Sequence, residues 1–146
     1  MPRASPFLRA QSALHVFIYR RTRGRLGRTL YGVPILILSH VGRRSGKQLD
    51  TPLMFTRDGE DFVLIASNGG RPWHPAWYLN LAAHPDAWVE LAGRRYRVQA
   101  VEVPPGQEKE RLWRKMARLY PRYDDYQRRT DRTIPLVRLR PVASAR

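Results

Sequence analysis

The sequence predicts an α+β, mainly β domain in which about six mostly antiparallel strands form a small barrel with flanking helices. Two observations support this prediction. Apolar, strand-like runs are joined by short glycine-containing turns such as Asp58-Gly59, and such turns favour hairpins and therefore antiparallel pairing. Apolar residues at helical spacing occur instead at the start, in the middle and near the end of the chain. Helices in these places would flank the sheet.

Six segments have the composition of β-strands. They are Val33–Val41, Leu49–Thr56, Asp61–Ser67, Ala87–Leu91, Arg95–Val103 and Thr133–Arg140. The first of them is apolar on both faces, which is typical of a buried strand. In the fifth, an inward alternation that includes Ala100 shifts by one residue at Val101, and this change of phase predicts a β-bulge.

Four segments are predicted to be helical. They are Pro6–Tyr19, Pro75–Ala83, the segment from Pro104-Pro105-Gly106 to Pro121, and Tyr123–Arg129. The first helix is amphipathic, and its apolar residues at helical spacing are Phe7, Ala10, Leu14, Phe17 and Ile18. We expect this apolar face to dock on the rest of the domain. Because the helix is also basic, contact with an anionic membrane surface is the second interpretation.

The composition is that of a basic, cysteine-free chain of 146 residues, which is the length of one domain. We therefore expect a single domain over residues 1–146, in which residues 1–28 form a basic amphipathic helix and loop. The lack of cysteine excludes disulfides, thiol catalysis and cysteine–metal sites, and it fits a cytoplasmic protein. No apolar run approaches the roughly 18 residues of a membrane-spanning helix, so association with a membrane would be peripheral.

The net charge of +15 predicts an anionic partner, either nucleic acid, acidic lipid or a phosphorylated small molecule. A basic nucleic-acid-binding module is one alternative, but no helix-turn-helix spacing or aromatic strand platform is evident, so nucleic acid is not the expected partner. Motifs of Rossmann, P-loop and serine-hydrolase sites are missing from the sequence. The four histidines lack the spacing of a metal site, and no metal is expected. Nothing in the sequence marks an oligomer interface.

The segment Gly42–Lys47 (GRRSGK) places three cations and a hydroxyl in a tight turn between two predicted strands. Gly42 and Gly46 permit the positive φ that such turns usually need, so backbone N–H groups could converge on an anion. Arginine can bind phosphate oxygens through two parallel hydrogen bonds. Taken alone, the turn is more simply interpreted as a charged hairpin tip. A second glycine turn, Ser67–Gly70, and the aromatic helix start Pro75–Leu81 favour a site for the phosphate and ring of a cofactor.

Five motifs occur in a fixed order: GRRSGK at 42–47, TPL at 51–53, DG at 58–59, ASNGG at 66–70 and PAWYLNL at 75–81. Together they closely resemble the deazaflavin-dependent nitroreductase family, a branch of the flavin-type split β-barrels, and the similarity extends from near Gly24 to Pro141. The resemblance implies a split β-barrel that transfers a hydride from reduced coenzyme F420 to a small electron-poor acceptor, namely a quinone, an enone or a nitroaromatic compound. FMN bound by the same barrel is the alternative cofactor.

The resemblance also implies roles for individual residues in cofactor binding. The phosphate would be held by Arg43, Arg44, Ser45, Gly46 and Lys47. The ring would be lined by Thr51, Pro52, Leu53, Met54, Ala66, Ser67 and Asn68, with Trp77, Tyr78 and Asn80 on its far side. For one of Trp77 and Tyr78, core packing is the simpler interpretation.

Three tyrosines at every third position, Tyr120, Tyr123 and Tyr126, lean toward one side of a helix. Core packing is the usual reason for such spacing, yet three buried phenols also need hydrogen-bond partners. The resemblance implies that they form the substrate wall together with Met54. Tyr123 is then the expected proton donor or substrate orienter, since a phenol is protonated at neutral pH, and Ser67 is the next candidate.

Overall fold

The computed structural model describes residues 6–142. The α-helices of this range are α1 (Pro6–Arg21), α2 (Ala76–Ala83), α3 (Gln107–Leu119) and α4 (Arg122–Arg128). Its strands are β1 (Thr29–Leu30), β2 (Val33–Val41), β3 (Gln48–Met54), β4 (Thr56–Asp58), β5 (Asp61–Ile65), β6 (Asp86–Leu91), β7 (Arg94–Glu102) and β8 (Leu136–Pro141). A 3₁₀ turn, Asn68–Gly70, follows β5.

The strands of the described range pair antiparallel in one curled sheet. From β3 the order is β3–β2–β6–β7–β8–β5–β4, and β1 pairs with the first residues of β2. β3 and β4 stand at opposite ends of this order, yet only Phe55 separates them in the chain. The sheet therefore has to curl until its two edges come together, which gives it the shape of a barrel.

The predicted fold class, a mainly β barrel of antiparallel strands with flanking helices, is confirmed. The number of strands differs from the prediction for two reasons. The predicted strand Leu49–Thr56 is divided at Phe55 between β3 and β4, and the short β1 has no sequence pattern of its own. The last strand begins at Leu136, three residues later than expected.

The β-bulge predicted at Ala100–Val101 is wrong. β7 keeps an unbroken register with β8 through Ala100, Val101 and Glu102. Val101 is exposed, whereas Val103 lies beyond the end of the strand and is buried in a cluster with side chains of α3. The change of phase therefore reflects the end of the strand and not an inserted residue.

The sheet has apolar residues on both faces because helices cover each side. In β5, Phe62 and Leu64 pack in the barrel cluster with side chains of α2, whereas Val63 and Ile65 pack with α3 and α4. This separation follows from the two-residue period of a strand. The strand β2 is buried on both faces as predicted, since Ile37 contacts α1 on the side opposite the barrel cluster.

The helix α1 docks on the outer face of β2 through Val16 and Tyr19, which are 7% and 1% exposed. The Tyr19 hydroxyl accepts a hydrogen bond of 3.0 Å from the backbone N–H of Ala92, in the turn between β6 and β7. Arg20, next in the helix, forms an ion pair with Glu90. These polar partners select the docked face.

The predicted docking face of α1 is therefore wrong, although the helix itself does dock. Phe7, Leu14 and Phe17 remain 69%, 58% and 64% exposed, on a face of α1 that turns away from the sheet. Ala10 is exposed as well, and Ile18 is half-buried. Within residues 6–142 no helix is long and apolar enough to cross a bilayer.

Candidate functional site

The turn between β2 and β3, residues 42–47, holds its shape by hydrogen bonds within its own backbone. The N–H of Gly42 donates to the Lys47 carbonyl at 2.8 Å, and the N–H of Gly46 donates to the Gly42 carbonyl at 2.9 Å. The N–H of Lys47 donates to the Ser45 hydroxyl at 3.2 Å. The expected convergence of backbone N–H groups on an anion is wrong for these donors, because they are already bonded inside the turn.

The N–H groups of Arg44 and Ser45 are not among the bonded donors of this turn, so these two groups and the side chains of the turn can meet an anion. Arg44 and Lys47 are exposed. Gly46 has the expected positive φ, 70°. The expectation of a positive φ is wrong for Gly42, but a Cβ there would lie 2.5 Å from the Ser45 hydroxyl oxygen, which would have to move. The turn is thus a rigid, compact support that presents cationic side chains.

Asn80 of α2 connects this turn to the helix. The Asn80 side chain is buried, with 2% of the residue exposed. Its Oδ1 accepts one hydrogen bond from the backbone N–H of Arg43 at 3.0 Å and another from Arg43 Nη1 at 3.3 Å. The cationic turn and the segment that contains Trp77 and Asn80 therefore lie against each other, although 37 positions separate Arg43 from Asn80.

His40 of β2 continues this network into the sheet. It is 2% exposed, its Nδ1 lies 3.0 Å from Asn80 Nδ2, and its Nε2 lies 2.9 Å from the Thr51 hydroxyl oxygen on β3. Burial lowers the pKa of His40 to about 4, and the opposing effect of the Asp50 charge is the smaller one. His40 is therefore neutral near pH 7. Sequence reasoning missed it, because a single histidine in an apolar strand carries no motif.

The second glycine turn is fixed by Arg132, in the segment between α4 and β8. The Arg132 guanidinium donates to the carbonyl oxygens of Ser67 at 2.7 Å and of Ala66 at 3.3 Å. It also donates to the Arg71 carbonyl at 2.9 Å and to His74 Nδ1 at 3.1 Å. These bonds hold the backbone of the expected ring-binding loop in place. Sequence reasoning did not find Arg132, since it is one cation among many in a basic chain.

Gly70 brings the same loop into direct contact with α4. It has φ of 77°, and a Cβ there would lie 2.7 Å from the carbonyl oxygen and 3.0 Å from the Cα of Tyr126. Asn68 Nδ2 donates to the carbonyl of Trp73 at 3.1 Å, which holds the far end of the loop. Ser67 and Asn68 therefore lie two or three residues before the point at which their loop touches α4, the helix that contains Tyr123 and Tyr126.

Tyr120, Tyr123 and Tyr126 form one cluster, as their spacing predicts. Their ring centroids are between 5.2 and 6.3 Å apart, and the hydroxyl oxygens of Tyr120 and Tyr126 are 3.0 Å apart. The Tyr123 hydroxyl donates to the Met54 sulfur at 3.6 Å. Burial and the hydrogen bond with Tyr126 raise the pKa of Tyr120 to about 12, and burial raises the pKa of Tyr123 as well. Both phenols are therefore protonated at neutral pH.

The tyrosines differ in how much of each a ligand can reach. Tyr123 is 4% exposed and packs among its neighbours, whereas Tyr120 and Tyr126 are half-buried. Tyr31, in the turn between β1 and β2, stacks on Tyr120 with ring centroids 6.0 Å apart and is 74% exposed. Sequence reasoning missed Tyr31, because it lies far along the chain from the three tyrosines of the cluster and has no aromatic neighbours at regular spacing.

The two aromatic residues at the start of α2 have different surroundings. Trp77 is 7% exposed and packs in the barrel cluster, so little of its surface is available to a ligand. Tyr78 is half-buried, its ring centroid lies 4.7 Å from that of His74, and its hydroxyl donates to Glu102 of β7. Burial, followed by the bond to Glu102, raises the pKa of Tyr78 to about 12. Core packing thus describes Trp77 better than Tyr78.

The strand β3 joins the two halves of the candidate site. Thr51, Pro52, Leu53 and Met54 are all half-buried. Thr51 contacts His40, and Met54 contacts Tyr123. At a rise of about 3.3 Å per residue, Thr51 and Met54 are roughly 10 Å apart along the strand. Because side chains alternate along a strand, Thr51 lies on the face of β3 that turns toward the barrel cluster and Met54 on the face that turns toward the tyrosine cluster.

An open apolar groove of about 630 Å³ lies beside this site, between α1 and β3. Its apolar lining comes from Ala13, Val16 and Phe17 of α1 and Leu49 of β3. The rest of the lining is polar or charged and consists of Arg20, Arg21, Gln48 and Asp50. The groove is on the face of β3 that turns toward α1, and it does not include the tyrosine cluster or Asn80. Its apolar lining continues the exposed face of α1 through Phe17.

The family model and the relative that this chain matches carry the same description. A family model described as F420H(2)-dependent quinone reductase matches residues 11–141. An F420H(2)-dependent quinone reductase of Mycobacterium tuberculosis (strain H37Rv) is 40% identical over 127 residues, which are 85% of each chain.

Two solved structures are similar over much of the chain. One, an F420-H2 dependent reductase, superposes with a TM-score of 0.66 at 36% identity and covers 73% of this chain and 93% of its own. Another, described as a domain-swapped dimer, has a TM-score of 0.70 at 32% identity and covers 92% of this chain and 99% of its own. The similarity confirms the split-barrel fold, and the F420-dependent relatives give no support to FMN as the cofactor.

Replacing Gly70 by alanine should destabilise the protein far more than replacing Gly69. Both residues have positive φ, which costs an alanine about 1 kcal/mol, but only a Cβ at Gly70 meets backbone, whereas the nearest atom at Gly69 is the end of the Arg71 side chain, 3.9 Å away. Gly70→Ala should therefore lower the free energy of unfolding by roughly 3 kcal/mol. Urea denaturation of both variants measures this difference. Equal losses would show that the loop does not pack tightly on α4.

The neutral, buried state of His40 should make stability depend on pH. Between pH 6.5 and about 4 the unfolded chain binds a proton that the folded chain does not, so the free energy of unfolding falls as the pH falls through this window. The shift corresponds to about 3 kcal/mol. Urea denaturation of the wild type and of His40→Gln from pH 7.5 to 4.5 isolates this contribution, because the variant lacks it. Parallel pH profiles would contradict the burial of a neutral His40.

Proposed function

Because the chain belongs to the F420H(2)-dependent quinone reductase family, we propose that it transfers a hydride from reduced coenzyme F420 to a quinone. The observation that carries the proposal is the pair of hydrogen bonds from Arg43 to Asn80, which place the cationic turn against α2. When bound, F420H2 supplies the hydride, and the quinone that receives it needs one proton to become a hydroquinone. The family membership favours this function over a nucleic-acid-binding module.

The residues of the turn suit the phosphate and acidic tail of F420. Arg44 and Lys47 provide exposed positive charge on a rigid support, and Arg43 is oriented by Asn80. The half-buried segment Thr51–Met54 and the loop Ala66–Asn68 would contact the ring on either side. Tyr78 and Asn80 would complete the far side, whereas Trp77 would act through the packing of α2.

The tyrosine cluster would bind and orient the acceptor beside Met54. Tyr120 and Tyr126 are the more exposed residues of the three and share a hydrogen bond, so either hydroxyl can donate to a quinone oxygen. Tyr123, the donor expected from the sequence, would hold Met54 and the two outer rings in place, since its hydroxyl donates to the Met54 sulfur and its ring packs on both. Ser67 is the remaining candidate donor, on the loop that Gly70 fixes to α4.

The exposed face of α1 supports a peripheral contact with an anionic membrane. Phe7, Leu14 and Phe17 are exposed on a helix that also carries basic residues, as in helices that lie in a lipid interface. Quinones with long apolar tails dissolve in lipid, so an enzyme at the membrane surface would meet them there. The apolar groove between α1 and β3 would continue this face toward the strand that lines the site.

Anaerobic mixing of the protein with F420H2 and a soluble quinone should oxidise the cofactor.

Arg44→Ala with Lys47→Ala should raise the KM for F420H2 roughly fivefold, equivalent to about 1 kcal/mol of lost electrostatic attraction, with a smaller change in kcat. Added salt should weaken binding to the wild type more than to the variant. The control is Arg114→Ala with Arg118→Ala, which removes two exposed charges from α3. Lack of quinone-dependent oxidation by the wild type would refute the proposed function.

Replacing Phe7, Leu14 and Phe17 together by serine should reduce binding to vesicles that contain anionic lipid. The three side chains are the most exposed large apolar ones of α1, while Val16 and Tyr19 still dock the helix. Co-sedimentation with vesicles measures the binding, and Val101→Ser with Leu119→Ser is the control for exposed apolar residues elsewhere. If binding is unchanged and the oligomeric state is altered instead, this face is an interface between copies of the chain.

A further inference from the structure

The buried network of Arg43, Asn80, His40 and Thr51 has one consistent assignment of hydrogen-bond donors and acceptors. It begins with Arg43, because a backbone N–H and a guanidinium N–H can only donate. Both lie within hydrogen-bond distance of the same atom of Asn80, which must therefore be the amide oxygen. The Asn80 amide nitrogen, a donor, then faces His40 Nδ1 at 3.0 Å. His40 Nδ1 must accept this bond and carries no proton.

The assignment continues from His40 to Thr51. A neutral imidazole whose Nδ1 is unprotonated carries its proton on Nε2, and this atom lies 2.9 Å from the Thr51 hydroxyl oxygen. Thr51 therefore accepts a hydrogen bond from His40. A hydroxyl has one proton of its own to donate, and the bond from His40 leaves that proton for another partner. Thr51 is half-buried and stands in the β3 segment that is assigned to the ring of the cofactor.

We propose that His40 is a positioning residue that makes the Thr51 hydroxyl a hydrogen-bond donor to an oxygen or nitrogen acceptor on the bound cofactor. The inference rests on the proposed function and deepens it. The reverse polarity is excluded by the geometry, since a proton on Nδ1 would face the two N–H groups of the Asn80 amide. The chain of bonds also gives a physical connection between the phosphate-binding turn, where Arg43 begins it, and the ring-binding strand, where Thr51 ends it.

We expect the hydrogen bond from Thr51 to contribute a small but specific part of the affinity for the cofactor. Thr51→Val keeps the shape of the side chain and removes the hydroxyl, so it should weaken F420 binding roughly 3- to 10-fold, the usual range for one hydrogen bond. His40→Asn keeps a polar group near Asn80 but is too short to donate to Thr51, and it should weaken binding by a similar factor. His40→Gln is long enough to donate to Thr51 and should recover most of the affinity.

The decisive experiment is a double-mutant cycle measured as F420 dissociation constants. If His40 acts through Thr51, adding His40→Asn to Thr51→Val should change affinity less than about twofold, because the group on which His40 acts is already missing. The control is His84→Asn, the same substitution at an exposed histidine after α2. An undiminished effect of His40→Asn in the Thr51→Val background would overturn the inference and leave His40 a structural residue.

A measurement on the wild type keeps the inference testable if a variant fails to fold. Nitrogen NMR of histidine-labelled, cofactor-free protein near pH 7 should show His40 with its proton on Nε2. A proton on Nδ1 would overturn the inference. If the His40 tautomer is as expected and the wild type binds no F420, the failure belongs to the proposed function and takes the role of Thr51 with it. If the wild type binds F420 and the double-mutant cycle shows no coupling, only the role of His40 fails.

Discussion

One buried amide, the side chain of Asn80, determines how the parts of the candidate site are placed relative to each other. A buried amide that loses a partner costs about 1–3 kcal/mol, so its oxygen and nitrogen have to remain bonded in the folded protein. The oxygen is bonded to Arg43 and the nitrogen to His40. Because the three residues belong to the turn after β2, to α2 and to β2 itself, satisfying this single side chain fixes the turn and the helix on the sheet.

The curled sheet connects these residues to the tyrosine cluster, the candidate site for the acceptor. β3 starts at the cationic turn and continues almost directly into β4 at the opposite edge of the sheet, which closes the barrel. Along this strand, Thr51 meets the Asn80 network and Met54 meets Tyr123. The glycine turn on the other side is held by Arg132 and by the close contact of Gly70 with Tyr126. The candidate cofactor and acceptor residues thus share one continuous support.

The sequence predicts those parts of the structure that depend on local pattern. Hairpin turns, the buried strand β2 and the tyrosine spacing in and before α4 all follow from residue type and periodicity, and the order of five motifs predicts the family. The docked face of α1 could not be predicted in this way, since it is selected by the partners of Tyr19 and Arg20 on distant strands. His40, Arg132 and Tyr31 were missed for the same reason, because their roles come from contacts between residues that are far apart in the chain.

The hydrogen bonds inside the cationic turn determine which of its groups are left to bind an anion. Since the N–H groups of Gly42, Arg43, Gly46 and Lys47 are already bonded within the protein, only those of Arg44 and Ser45 are left in the turn for an anion. Attraction of the proposed cofactor would then depend mainly on the exposed side chains of Arg44 and Lys47, whose fields are screened by salt within about 10 Å. Such groups supply charge but little geometric precision. Orientation of a bound ring would therefore have to come from groups that are held by hydrogen bonds inside the protein, and the network that ends at Thr51 provides such a group in a strand of the candidate site.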